Sequence, residues 1–226
     1  MPNQVDVVTP DEGEIFDIEL EADLLKANNE IALENQRVLK KHGIVAIDVM
    51  GSVGSGKTSL IKCLISSLKD RYRIAVIEGD VTTTIDAEII AATGVSAIQV
   101  NTGKECHLDA NLIRKALARV KLNELDLIFI ENVGNLICPA EFPLGSEKRL
   151  VVISVTEGPY MVVKHPLMFH KADVVAINKV DLATAMEVNP SKLKQDIAGL
   201  NSKAIIIATS CKSRLGILEV GSALDL

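Results

Sequence analysis

The stretch Gly51-Ser52-Val53-Gly54-Ser55-Gly56-Lys57-Thr58 carries the clearest chemistry in the chain. It fits G-x-x-x-x-G-K-[ST], in which the glycines let the backbone curl until its N–H groups point inward and form a nest for an anion. The apolar run Ile44–Met50 precedes it and a helical stripe beginning at Leu60 follows. The nest therefore opens on a helix N-terminus, whose dipole favours negative charge. In that setting Lys57 reaches the β- and γ-phosphates of a nucleotide, and the Thr58 hydroxyl ligates Mg²⁺. Ser59 continues the nucleotide-binding set into the helix. The implied chemistry is phosphoryl transfer or hydrolysis.

Asn178-Lys179-Val180-Asp181 narrows the nucleotide. It closes the apolar run Asp173–Asn178, at the C-terminal end of an expected strand, where open α/β sheets bind ligands. The pattern N-K-x-D resembles the guanine-reading element of GTPases. A carboxylate at Asp181 accepts hydrogen bonds from guanine N1–H and the 2-amino group, which adenine does not offer, and the Lys179 stem lies along the base. Ser210-Cys211-Lys212 resembles the second guanine-contacting loop, or is an ordinary strand-to-helix turn. Glu131-Asn132-Val133-Gly134 resembles the D-x-x-G element, with Glu in the Mg²⁺-facing place and the Gly134 N–H available to a γ-phosphate. Asp80 and Asp86 are candidates for Mg²⁺ coordination and for orienting the attacking water; Asp86 fits a helix cap nearly as well. The expected catalytic set is thus Lys57, Asp86 and Gly134, and the expected Mg²⁺ set Thr58, Asp80 and Glu131. Asn135 and Leu136 follow Gly134, so no Gln stands ready to position water. Slow hydrolysis, suited to a switch, is expected.

Of four cysteines, two sit beside these elements. Cys106-His107 lies in the loop before the helix at Leu108, and Cys138 lies just beyond Gly134. At a loop-to-helix junction adjacent residues can face one ion, and thiolate with imidazole suits Zn²⁺ or Ni²⁺. No C-x-x-C or H-x₃-H accompanies them, so buried small side chains and a surface histidine remain the competing account. Cys63 and Cys211 read as ordinary small residues of the nucleotide domain, the latter within its guanine-contacting turn.

The elements that must position these residues are legible as runs. Candidate strands are Ile44–Met50, Arg73–Glu78, Ser96–Val100, Asp126–Glu131, Arg149–Val155, Asp173–Asn178 and Ala204–Thr209. Most are continuous Val/Ile-rich runs, as in strands buried on both faces, so the expected fold is a three-layer α/β domain on a mostly parallel sheet. Helical stripes at Leu60–Leu68 and Leu108–Val120 supply the outer layers. Upstream, Leu24, Leu25, Ile31, Ala32, Val38 and Leu39 make an amphipathic helix over residues 19–42, with a charged, Asn-rich opposite face. Its stripe packs on its own domain or is offered to a second subunit. Residues 1–18, with Asp6, Asp11, Glu12, Glu14 and Asp17 and no Lys or Arg, are expected as an acidic flexible tail before a GTPase domain over 19–226.

Composition bounds the function. Hydrophobic residues are 48% of 226, aromatics 3% and Trp absent, so the core must be aliphatic. A net charge of −6 argues against a general nucleic-acid or anionic-membrane surface. No apolar run approaches the roughly 18–20 residues of a membrane span. With no export signal, reduced cysteines and a cytoplasmic location are expected.

The segments VMGSVGSGKT, NTGKECHLDA, ENVGNLICPAEFPLG, TEGPYMVVKHP and NKVDL together resemble the HypB family of hydrogenase nickel-insertion GTPases, in order from about Leu24 to the C-terminus. The resemblance implies a P-loop GTPase of the SIMIBI class that forms a GTP-dependent homodimer. It implies delivery of nickel to the large subunit of [NiFe]-hydrogenase with an accessory maturation protein. It also implies that Cys106, His107 and Cys138 bind Ni²⁺ or Zn²⁺ at or near the dimer interface. The chain departs from the fuller family pattern: residues 1–43 hold no Cys and only His42, so neither an N-terminal C-x-x-C-G-C site nor a nickel-storage stretch is expected. The same nucleotide motifs fit a metallochaperone GTPase for another metalloenzyme; a small-metabolite P-loop kinase leaves N-K-x-D unexplained, and a metal-binding scaffold would need no hydrolysis.

Overall fold

The computed structural model describes residues 18–103 and 105–226, with side chains from residue 22 onward. The acidic segment expected as a tail lies outside the described residues, apart from Ile18, which opens the first helix. Seven strands form one sheet: β1 (Val45–Met50), β2 (Ile74–Asp80), β3 (Ser96–Asn101), β4 (Leu127–Glu131), β5 (Lys148–Ser154), β6 (Val174–Asn178) and β7 (Ile205–Ala208). Their order is β3-β2-β4-β1-β5-β6-β7, and every strand pairing is parallel. The seven expected runs all become strands, with ends moved by a residue or two. Aliphatic runs without alternation suit strands covered on both faces, as β1, β4, β5 and β6 are, while the edge strand β7, also an unbroken aliphatic run, leaves Ile205 half exposed.

Alternate residues of each strand feed two cores. On one face Ile47, Val49, Val76 and Phe129 pack under Leu60, Leu64 and Leu68 of α2 (Lys57–Leu68), with Ile90 of α3 (Ile85–Ala91) and Val220 of α9 (Ile217–Ala223). On the other, Ala46, Ile77, Ile128 and Ile130 pack against Leu39 of α1 (Ile18–Lys41) and Ile113 of α4 (Ala110–Leu117). Further along that face lie the short helices α5 (Cys138–Glu141), α6 (Met161–Lys164) and α7 (Leu167–His170), then α8 (Pro190–Leu200). Met50, Val151, Phe169 and Leu193 form its core there. No described helix is long and apolar enough to cross a membrane.

Helix α1 corrects one expectation. Of its apolar stripe, Ala32 and Leu39 are buried, Leu25 and Ile31 half-buried, and Leu24 and Val38 exposed. The buried line is Asn28, Ala32, Asn35 and Leu39, so two asparagines assigned to the solvent face point inward. The reason is the backbone beneath them. Asn28 Oδ1 accepts from Ala110 N at 2.8 Å while its Nδ2 donates to Pro143 O at 2.9 Å. Asn35 Nδ2 donates to Ala110 O and Leu144 O at 2.8 and 3.1 Å. A helix start and a loop have no ladder partners, and the amides supply them.

A second polar exception lies in β1. Asp48 is fully buried, and burial pushes its carboxyl up to about 6 even though Arg149 and Asn132 pull it down. Because the folded pKa exceeds the unfolded one, the folded state keeps a proton that the unfolded chain has lost, and stability falls as pH rises from about 4 through 6. A shift from 3.8 to about 6 amounts to about 3 kcal/mol. Denaturant unfolding of Asp48→Asn against the parent should therefore show the parent losing about that much more stability between pH 4 and 7. Parallel pH profiles would refute it.

Candidate functional site

The three polar loops converge at the C-terminal edge of the sheet. β1 hands the chain to Gly51, and Gly56 turns it into α2 with φ of 98°, the left-handed region that glycine tolerates. A Cβ at Gly56 would lie 2.4 Å from Asn178 Nδ2, which donates to Ser55 O at 3.0 Å. Left-handed strain and that clash together cost on the order of 1–3 kcal/mol. Gly56→Ala should thus weaken binding of a fluorescent GDP analogue roughly tenfold or more. Unchanged affinity would show that the loop does not hold nucleotide in this form. Within the loop Lys57 is buried and its Nζ donates to Gly51 O and Ser52 O at 3.3 and 3.2 Å, contacts open to exchange for phosphate oxygens. Gly54, Lys57, Thr58, Asp86 and Glu131 line a cavity of about 410 Å³. Val53 is exposed, and the Ser52 hydroxyl donates to Glu157, in the turn after β5.

One corner of this cavity is acidic. Thr58 Oγ1 lies 2.9 Å from Glu131 Oε1 and 3.2 Å from Asp86 Oδ1, and its single proton serves one of them at a time. Glu78, at the end of β2, joins them from the buried side. Glu78 Oε1 and Glu131 Oε2 are buried without a hydrogen-bond partner. Burial pushes both carboxyls up; the neighbouring Glu131 charge adds to the rise at Glu78, while Lys57, 3.9 Å from Glu131 Oε1, opposes it at Glu131. Orphaned carboxylate oxygens beside a hydroxyl fit a hard divalent cation such as Mg²⁺. Asp80 lines the same cavity, but its Oδ1 accepts from Thr82 N and Thr83 N at 2.9 and 2.8 Å. Partial burial raises its carboxyl, and those amides outweigh that and leave it below the ordinary range. Asp86 sits in the first turn of α3 and faces Thr58; Thr84 occupies the cap position.

Across the loop, Asn178 is buried and accepts from Thr209 Oγ1 at 3.3 Å and Cys211 Sγ at 3.6 Å. Burial pushes the Cys211 thiol up to about 12, with Cys63 adding to it. Lys179, at φ of 60°, donates from Nζ to Gly54 O at 2.6 Å. Ser210 Oγ donates to Asp181 Oδ1 at 2.7 Å, which orients the carboxylate; Lys212 is exposed. The Asn-Lys-x-Asp segment and the Ser210 turn are thus stitched to each other and to the loop before α2.

Cys106, His107 and Cys138 meet although 32 positions separate the cysteines. Cys106 Sγ lies 3.0 Å from Cys138 Sγ and 4.0 Å from His107 Nδ1, and one ligand atom from each of the three lies within 4.8 Å of the others. Phe142 packs on the imidazole at a centroid distance of 4.0 Å. Burial lowers the His107 pKa against the charges of Glu105, Asp109 and Glu141, favouring the neutral ring that ligates metals. Burial and the Cys106 neighbour raise Cys138, so its thiolate awaits a cation. Two thiols and an imidazole at this separation fit one Zn²⁺ or Ni²⁺ ion.

This cluster touches the nucleotide loop. Gly51 and Asn135 form an isolated antiparallel bridge, and Asn135 Nδ2 donates to Cys106 O at 3.3 Å. A Cβ at Gly134 would lie 2.5 Å from Val53 Cγ2, so only glycine fits against the loop there. Sequence reasoning missed Glu78, Asn132, Phe142 and Glu157. An acidic residue ending the apolar β2 run was the one available signal for Glu78; the others carry none.

Residues 45–208 match the family described as CobW/HypB/UreG, nucleotide-binding domain. The probable hydrogenase maturation factor HypB of Methanocaldococcus jannaschii is 49% identical over 203 residues, covering 90% of this chain and 92% of that one. Hydrogenase maturation factor HypB from Archaeoglobus fulgidus superposes with a TM-score of 0.83 at 42% identity, covering 88% of this chain and 98% of that one. HypB from Helicobacter pylori, solved in complex with nickel, gives the same TM-score at 37% identity, covering 88% and 93%.

Proposed function

Since the chain belongs to the CobW/HypB/UreG family, and within it to the HypB hydrogenase maturation factors, we propose that it is a GTP-hydrolysing metallochaperone. Its role is to bind nickel or zinc at Cys106, His107 and Cys138 and to assist nickel insertion into [NiFe]-hydrogenase. The large subunit of the hydrogenase and an accessory maturation protein are its partners, and the cytoplasm its location. The observation that carries this reading is the contact path from Gly51 through Asn135 to Cys106, which joins the phosphate loop to the metal cluster.

In the proposed reaction GTP lies along the loop at 51–58 and its base against Asn178, Asp181 and the Ser210 turn. Lys57 exchanges its contacts with Gly51 O and Ser52 O for β- and γ-phosphate oxygens. Thr58, Glu131 and Asp86, with Glu78 behind them, would hold Mg²⁺, with Asp80 as the more distant candidate. When bound, that ion supplies Lewis-acid neutralisation of phosphate charge. Asp86 orients water whose oxygen bonds to the γ-phosphorus as the bond to the β-phosphate oxygen breaks; GDP leaves with that electron pair, and the water's proton passes to the released phosphate. Asn135 spends its amide on Cys106 O and Ile137 N, and Leu136 has none, so no Gln-like group holds the water and intrinsic turnover is slow. Loss of the γ-phosphate releases Gly134, and the change reaches Cys138 four residues on.

Three protein ligands leave a tetrahedral ion one short, and a second copy of the chain related by a twofold axis would bring two such sets together. Nucleotide, metal and dimerisation are then linked, and the linkage is reciprocal. Sedimentation velocity with and without a non-hydrolysable GTP analogue and Ni²⁺ tests this. The expected result is a shift to dimer that is largest with both present; four superimposable profiles would sink the coupling.

A further inference from the structure

An aspartate in the middle of a central, otherwise aliphatic strand calls for a reason. Asp48 of β1 stands in register between Ile130 of β4 and Arg149 of β5. Its Oδ1 accepts from Asn132 Nδ2 at 3.3 Å, and its Oδ2 lies 3.8 Å from Arg149 Nε. Each neighbour leads on to the backbone of a metal-ligand segment. Asn132 Oδ1 accepts the N–H of Leu108, the residue after His107, at 3.1 Å. The Arg149 guanidinium, itself mostly buried, donates to Ala140 O at 3.2 Å, within the helix that Cys138 opens. Replacing a buried ion pair with well-packed apolar residues is often neutral or stabilising. Stability alone therefore does not account for it.

We propose that the buried Asp48–Asn132–Arg149 network is a positioning device for the metal cluster, fixing the Cys106–His107 loop and the Cys138 helix at one separation from a common anchor in β1. The proposal rests on Cys106, His107 and Cys138 being the metal ligands. The loop and the helix follow different strands, β3 and β4, and β2 lies between those strands in the sheet. One side-chain hydrogen bond, from Asn135 Nδ2 to Cys106 O, ties the two segments directly, and the shared anchor adds a second tie through β1.

The test uses the full chain with two probes: Ni²⁺ titrated against a chromophoric chelator, and Co²⁺, whose thiolate charge-transfer and d–d bands report ligand geometry. Arg149→Met cuts one arm. The double variant Asp48→Leu/Arg149→Met removes both charges together, so it folds even where the single one does not. Either should weaken Ni²⁺ binding about 10- to 100-fold, as loss of outer-sphere support does. Each should also shift the Co²⁺ spectrum while leaving GDP affinity unchanged. Leu193→Ala, a core truncation in α8 that removes no hydrogen bond or ion pair of either arm, should lower the melting temperature and leave both metal readouts alone. A folded double variant with the parent's Ni²⁺ affinity and Co²⁺ spectrum overturns the proposal. So does an equal loss in Leu193→Ala. Cys138→Ala, run in parallel, should lose Ni²⁺ binding; if it binds as the parent does, the metal-site reading itself fails and takes the proposal with it.

Discussion

Lys57→Ala should lower GTP turnover by about 10²–10³-fold, the usual consequence of removing one preorganised group from developing charge in a water-poor site. Lys57 is buried and its three donors face Gly51 O, Ser52 O and the Glu131 carboxylate, whereas Lys179 of the same cavity spends its Nζ on Gly54 O. The substitution also removes the cation that opposes the rise of the Glu131 pKa. The loss should therefore exceed that of a single phosphate contact. Ni²⁺ binding to the nucleotide-free variant should persist, because no Lys57 contact reaches Cys106, His107 or Cys138. The checks are phosphate release under single-turnover conditions and metal titration of the same preparation. A variant that hydrolyses GTP at the parent rate would remove Lys57 from the reaction. Retained hydrogenase maturation with turnover gone would make the protein a metal scaffold and not a switch.

Asp181→Asn should exchange guanine for xanthine preference. Ser210 Oγ orients the carboxylate at 2.7 Å, and in the proposed reading it accepts from N1–H and the 2-amino group of guanine. Two charge-assisted hydrogen bonds at about 1.5–3 kcal/mol each put the expected loss of GTP affinity on the order of 10²–10⁴-fold. The amide that replaces the carboxylate presents an N–H toward position 2, where xanthine carries a carbonyl. XTP should bind the variant better than GTP does, and ATP should bind neither protein well. Competition of the three nucleotides against a fluorescent GDP analogue measures all of this. Equal ATP and GTP affinities in the parent chain would contradict base recognition by Asp181 and favour a kinase-like use of the phosphate loop.

The nucleotide half of the molecule was legible because its motifs are local. Gly51 to Thr58 form one continuous turn, and Asn178 to Asp181 another, so chain neighbours are also spatial neighbours. The strands were legible for a related reason: a run such as Leu127–Ile130 has no polar side to offer water. The acidic corner was legible only in part. Thr58, Glu131 and Asp86 are brought together, whereas Asp80 spends one oxygen on its own turn and Glu78 arrives unannounced from β2. Asn28 and Asn35 misled for a definite reason. Polar residues at helical spacing ordinarily face solvent, but here they meet the backbone of Ala110 at a helix start and of Pro143 and Leu144 in a loop.

Periodicity and short motifs therefore made legible the fold class, the glycine-rich loop and the Asn-Lys-x-Asp segment, since each depends on interactions within a few residues along the chain. Cys106 and His107 were joined to Cys138, and both to a buried aspartate in β1, only by the order β3-β2-β4-β1 and the register between those strands. Register is decided by which apolar faces are buried together, a collective property of the whole core. No spacing along the chain encodes it, so the residues by themselves left metal ligation and buried small side chains as alternatives, and it is the sheet that brings the two thiols within 3.0 Å.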